Sequence, residues 1–169
     1  MYKIEAFGID TGDAVAELVK ANHYVQALVV LYSAIDTLAW ANRNAGDVTR
    51  SDFYDWVSKY MDPTARLGCT PEDLYAARCA MLHSGAAESK LSRERKASEL
   101  WYATSPHSVP ALQAHAQKVG ANAKVLYFSA LLTAFSEGVM KFSDELSLDP
   151  ARNTETAERI RRWLRFVKL

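Results

Sequence analysis

The chain has 169 residues, of which 20 are Lys or Arg and 20 are Asp or Glu, so its formal charge is zero. That balance excludes a histone-like or tail-type chain held to nucleic acid by bulk attraction, and it excludes an acidic disordered chain. With 49% hydrophobic residues and only 7 Gly and 5 Pro, the composition is that of one domain with a substantial core, built from helices rather than from a turn-rich all-β fold.

The opening MYKIEAFGIDTGD has no apolar stretch behind a basic end, so no signal peptide is expected. The longest unbroken apolar run, Ala27 to Leu31, is far short of the roughly 18 residues of a membrane span, and no membrane association is expected. Cys69 falls in a turn and Cys79 in mid-helix, which makes no disulfide framework and suits a cytoplasmic chain. His23, His83, His107 and His115 lack metal-ligand spacing, so neither a metal nor another cofactor is expected.

In chain order, a first short helix is expected from Asp13 to Lys20, capped by Asp10 or Thr11. A long helix follows from about Asn22 to Asn42, with Tyr24, Leu28, Leu31, Ile35, Leu38 and Ala39 on one stripe, and it ends in the turn Asn44-Ala45-Gly46-Asp47. Phe53 to Met61 forms a third helix, capped by Thr49 or Ser51 and stopped by Asp62-Pro63. Thr70-Pro71-Glu72-Asp73 is the clearest start signal, a cap, a proline at the first helical position and an acid three residues on, opening a helix to about Ser84. Glu88 to Lys96 is polar and mixed in sign, an exposed connection. Glu99 to Thr104 and Lys124 to Phe128 have strand composition, and the helix between them, opened by Ser108 and Pro110 and closed by Gly120, implies parallel pairing. Ser129 starts a helix to about Leu146, with Leu131, Phe135, Val139, Phe142 and Leu146 on one face. The last helix starts near Asn153 or Thr154, with Ala157, Ile160, Leu164 and Val167 as its apolar stripe. The expected fold class is mainly α: a single-domain helical bundle with a small β insertion around residues 99–128.

One helix carries a polar problem. At 100° per residue from Leu74, Ala77, Met81, Leu82 and Tyr75 bound an apolar stripe, and Arg78 falls near its middle at about 40°. A guanidinium there needs a carboxylate, carbonyls or a wet cleft, because a lone buried charge costs several kcal/mol. Asp36 is the best carboxylate, at the edge of the long helix's apolar face with Ser33 three residues before it, and a two-pronged, partly dry Arg78–Asp36 pair is expected. His83 lies about 140° from Arg78 on an ideal helix, so a shared cleft needs the long Arg side chain or an irregular last turn. The structural alternative is that Arg78 clamps two helices and that His83 serves the negative end of the helix dipole.

The residues Arg78-Cys79-Ala80-Met81-Leu82-His83 spell R-x4-H near a helix end, and Asn22-His23-Tyr24-Val25-Gln26-Ala27-Leu28 with Ser33-Ala34-Ile35-Asp36 lie on the long helix before them. Together, over roughly Asp13 to Gly85, they resemble the HEPN superfamily, all-α domains of prokaryotic toxin and defence systems. The resemblance implies a metal-independent endoribonuclease acting as a homodimer, with two copies of the motif facing one cleft. In it His83 would be the general acid or base, Arg78 would stabilise charge on the phosphorus oxygens, Asp36 would orient Arg78, and Ser33 would add a hydrogen bond. Products would end in a 2′,3′-cyclic phosphate, and an antitoxin or other protein partner would fit such a system. Two other readings stay open: a non-catalytic HEPN-like module binding RNA, a nucleotide or a protein, and a purely structural bundle. A separate basic surface on the last helix, Arg159, Arg162 and Arg165 with Arg161 and Lys168, is either a phosphate-tracking face for RNA or a solvated helix end rich in cations. Lys90, Arg93, Arg95 and Lys96 form a second basic group, diluted by Glu88, Glu94 and Glu99.

Overall fold

The computed structural model describes residues 4–43, 49–84 and 89–163; the side chains at 83–84 and 161–163 lie outside that set. Its first helix, α1 (Ile4–Lys20), begins well before the expected Asp13. Thr11 is no cap. It is buried in mid-helix and its Oγ1 donates to the Phe7 carbonyl at 2.7 Å, so a hydroxyl that would otherwise compete with the backbone is satisfied inside the helix. Asp10 lies within the helix as well. Gly8 breaks the helical look of the sequence for a packing reason: a Cβ there would come within 2.6 Å of Val139 Cγ1.

Helix α2 (Tyr24–Asn42) is central. Leu28, Leu31, Ile35, Leu38 and Ala39 of the expected stripe are buried, and Ala27, Ala34 and Ala41 extend burial round the cylinder. Tyr24 is half-buried and meets Phe128 edge-on at 6.5 Å. Counted as a window rather than as an unbroken run, α2 has 19 residues at mean hydropathy 1.3, long and apolar enough to cross a membrane, and 56% of that window is buried inside the bundle. The expected turn at 44–47 lies outside the described residues.

Helix α3 (Arg50–Trp56) opens on a reciprocal capping box between Thr49 and Asp52, so Thr49 and not Ser51 is the cap. It runs on as a π-helical segment, Val57–Met61. Asp62-Pro63 ends that segment but immediately starts another element: Asp62, at φ 48°, caps the short helix α4 (Pro63–Leu67), with Pro63 in its first turn. Helix α5 (Pro71–Cys79) opens on the expected box of Thr70 and Asp73. The helical run reaches Ser84 as expected, but its last turn, Ala80–Ser84, is π-helical, with Cys79 inside the run where the α and π segments meet. Gly85 lies outside the described residues.

The polar stretch before the first strand is not a bare connection. It holds α6 (Lys90–Arg93), whose cap Ser89 is buried and bonds reciprocally with Ser92. The strands β1 (Glu99–Ala103) and β2 (Ala123–Tyr127), joined through α7 (Ser108–Lys118), pair in parallel with Glu99 opposite Ala123 and Ala103 opposite Tyr127. β1 ends one residue short of the expected Thr104, and β2 is shifted by one residue, starting at Ala123 and ending before Phe128, which belongs to the next helix. Two strands are marginal alone; here Leu100 and Leu126 join the main core, with α5 packed on β1 and α8 (Phe128–Ser147) on β2. All five residues of the α8 stripe are buried.

Helix α9 (Pro150–Trp163) starts before the expected Asn153 or Thr154. Asp149 Oδ1 accepts from the Arg152 amide at 3.1 Å and Pro150 takes the first helical position, while Thr154 Oγ1 donates back to the Pro150 carbonyl at 2.9 Å. Ile160 is buried as expected; residues 164 and 167 of its stripe lie outside the described set. The architecture is mainly α, a helical bundle around α2 and α8 with one parallel two-strand ribbon inserted.

Candidate functional site

Helix α5 carries two ion pairs, one near each end. Towards its C-terminal end Arg78 Nη2 donates to Asp36 Oδ2 at 2.6 Å, joining α5 to α2. The Arg78 side chain is 16% exposed and that of Asp36 30%. Burial works against the Arg78 charge, but the hydrogen bond and attraction of Asp36 outweigh it, and the guanidinium holds its proton more tightly than usual. Nη1 donates to Cys79 Sγ at 3.9 Å, and the guanidinium carbon lies 5.9 Å from the centre of the Tyr75 ring.

An open cleft of about 270 Å³ is lined by Tyr75 and Cys79, side chains that Arg78 touches. Tyr75 and Cys79 form its inner side, and Arg50, Lys90, Glu94 and Lys96 stand around it. Tyr75 is held edge-on by Phe53 at 5.4 Å and by Tyr54 at 5.6 Å, and Arg50 lies over the same ring at 5.3 Å. One tyrosine ring thus positions two guanidinium groups. The sequence reading missed Arg50 and Tyr75. The available signals were Tyr75 three residues before Arg78, and the Thr49 cap that places Arg50 at the first helical position.

Comparison with family models, with curated proteins and with solved structures returns no match. The remaining candidates therefore stand on geometry. The side chain of His83 lies outside the described set, but its backbone belongs to the π-helical turn. A turn closed by i→i+5 hydrogen bonds holds more residues than the 3.6 of an α-helix. It rotates position 83 back towards the helix face that position 78 occupies, shrinking the separation of about 140° that ideal α geometry imposes. Ser33 is half-buried; its carbonyl accepts from Thr37 Oγ1 at 2.8 Å, and among the described contacts its hydroxyl meets neither Arg78 nor Asp36. Arg159 turns inward. It donates to the carbonyls of Ala41, at 3.0 Å, and Arg43, capping the C-terminal end of α2. The side chain of Arg162 and the whole of Arg165 lie outside the described residues.

Two polar clusters were not foreseen. At the N-terminal end of α5, Asp73 is almost fully buried and accepts from the Thr70 amide at 2.8 Å, the Ser98 amide at 2.6 Å and Lys124 Nζ at 2.8 Å. Burial alone would raise its pKa; these donors outweigh burial and hold it below the ordinary carboxylate value. At the far side of the bundle Glu145 accepts from Arg152, from Lys59 at 2.6 Å and from the Tyr60 hydroxyl at 3.1 Å. Burial opposes its charge, yet Arg152, Lys59 and Tyr60 bring its pKa down to about 2. Both clusters tie elements together and neither opens on the cleft beside Arg78.

Proposed function

We propose that the chain is a HEPN-like, metal-independent endoribonuclease, working as a homodimer, in which Arg78 and His83 act on one phosphodiester. The observation that carries this reading is the Arg78–Asp36 pair, a guanidinium held on the inner face of a helix by a carboxylate of α2 and set beside a cleft rich in cations. The π-helical turn that brings position 83 round towards position 78 adds to it. In the proposed step the ribose 2′-oxygen attacks phosphorus as its proton passes to a base, the P–O5′ bond breaks, and O5′ takes a proton. His83 serves one of these transfers, its ordinary pKa being near neutrality. Arg78 stabilises the charge that builds on the non-bridging oxygens, and Asp36 fixes where the guanidinium points. The products are a 2′,3′-cyclic phosphate and a 5′-hydroxyl.

A second reading, a non-catalytic module that binds RNA, a nucleotide or a protein such as an antitoxin, is favoured by one observation: Arg78 is largely buried and already engaged by Asp36, Cys79 and Tyr75. Incubation of the purified protein with mixed RNA in EDTA separates the two. The nuclease reading expects cyclic-phosphate ends from the wild type and none from folded Arg78→Ala or His83→Ala variants. RNA left intact by the wild type across substrates overturns it in favour of the binding module.

A further inference from the structure

The cleft beside Arg78 has a local charge that the chain as a whole lacks. In a protein of zero net charge, Arg50, Lys90 and Lys96 surround one concavity, and among the described lining residues Glu94 is the single carboxylate. Arg50 is exposed, and the contacts described for it are the side chains of Tyr54 and Tyr75, which fix its place without neutralising it. Lys96 and Lys90 are exposed and share Glu94, at 2.7 and 3.8 Å. A carboxylate gripped by two ammonium groups in a cationic cleft occupies a position that suits a phosphate, which has the same sign of charge and more acceptor oxygens. A larger cavity of about 420 Å³ by Gly68, α7 and β2 differs in this respect. Its cation is Lys124, which already answers the buried Asp73.

We infer that the cleft between the start of α3, Tyr75 and α6 is a phosphodiester subsite: it seats a backbone phosphate of single-stranded RNA between Arg50 on one wall and Lys90 and Lys96 on the other, displacing Glu94. The chemistry follows from the lining. A guanidinium offers a planar fork to phosphate oxygens, and lysines add mobile point charges. The concave wall focuses their field, so a chain with no net charge can still gather an anionic strand at one place. Arg50 and Arg78 rest on the same tyrosine ring, so the subsite shares Tyr75 with the Arg78 site. Contacts of this kind position a strand and carry no base preference. The RNA identity of the ligand rests on the proposed function; the phosphate chemistry of the cleft does not.

The test is binding of the full-length protein to a fluorescent single-stranded oligonucleotide with 2′-O-methyl riboses, which blocks the attacking oxygen and separates binding from cleavage. Affinity is read by anisotropy over a range of salt. Arg50→Ala should lower the slope of log affinity against log salt by about 0.7, and the double variant Lys90→Ala/Lys96→Ala by about 1.4, equally for all base sequences. Glu94→Gln should tighten binding, because it frees both lysines. Glu17→Gln is the control: it removes an exposed acid that pairs with Lys20 on α1, outside the cleft, and should leave affinity unchanged. Salt slopes unaltered by the cleft variants overturn the inference, as does equal tightening by Glu94→Gln and Glu17→Gln, which would mean bulk attraction only. Cleft-dependent binding by a wild type that leaves unmodified RNA intact upholds the subsite and overturns the nuclease reading; cleavage with cleft-independent binding does the reverse.

Discussion

At the N-terminal end of α5 the buried Asp73 accepts two backbone amides and a lysine ammonium, and its side chain is 3% exposed. Near the other end Arg78 donates to Asp36 at 2.6 Å, with 30% of the Asp36 side chain exposed, and its neighbours Tyr75 and Cys79 line an open cleft. Both are ion pairs that tie α5 to another element. The first is saturated and closed, and it joins the helix start to the entry of β1 and to β2. The second is more exposed on its Asp36 side, and Arg78 touches Tyr75 and Cys79, which line the open cleft. Access to water, rather than the presence of a charge pair, separates a structural clamp from a site that can act.

The two ends should therefore respond differently to substitution. Asp73→Ala removes a capping box and leaves part of a dry network without its acceptor, and should cost about 3–5 kcal/mol in urea unfolding. Lys124→Met should cost less, about 2 kcal/mol, since Asp73 keeps its two amide donors and Lys124 is 37% exposed. Arg78→Ala should cost about 1–2 kcal/mol, because water can reach the Asp36 it leaves behind. If Arg78→Ala cost as much as Asp73→Ala, the contrast between the two ends would fail.

Acid titration sharpens the same contrast. The folded pKa of Asp73 is depressed, so its stabilisation is complete above the ordinary carboxylate value of about 4 and is lost as pH falls through the lower folded value. Asp73→Asn should flatten that part of the stability profile. Glu145 behaves in the same sense between its ordinary 4.5 and about 2. Its side chain is 31% exposed, so after solvent screening Glu145→Gln should remove only about 1 kcal/mol at neutral pH and nothing below pH 2, by urea unfolding at both.

Local rules carried much of the fold into view. The Thr70-Pro71-Glu72-Asp73 box, the α8 stripe and the parallel strands are written in short spacings, and the wheel position of Arg78 was enough to select Asp36 as its partner. What stayed hidden was set by tertiary contacts. Gly8 is inside a helix because Val139 fills the space where its side chain would be. Asp73 is read from sequence as a cap, and its second role depends on Ser98 and Lys124, which only the ribbon brings near. The π-helical turns carry no sequence mark in this chain, yet one of them alters the angle between positions 78 and 83. Arg159 looked like part of a basic face and instead caps α2. The zero net charge says nothing of local grouping, and the fold brings Arg50, Lys90 and Lys96 to one cleft.

The most direct measurement of the central claim is the behaviour of Arg78→Lys. A lysine keeps a cation for Asp36 but loses the planar fork that a phosphorane needs. Unfolding in urea should change by less than about 1 kcal/mol, while single-turnover RNA cleavage in EDTA should fall about a hundredfold or more, the scale seen when a charge-stabilising donor is removed. Cleavage at the wild-type rate, or a loss of cleavage matched by loss of the fold, would contradict a catalytic role for Arg78.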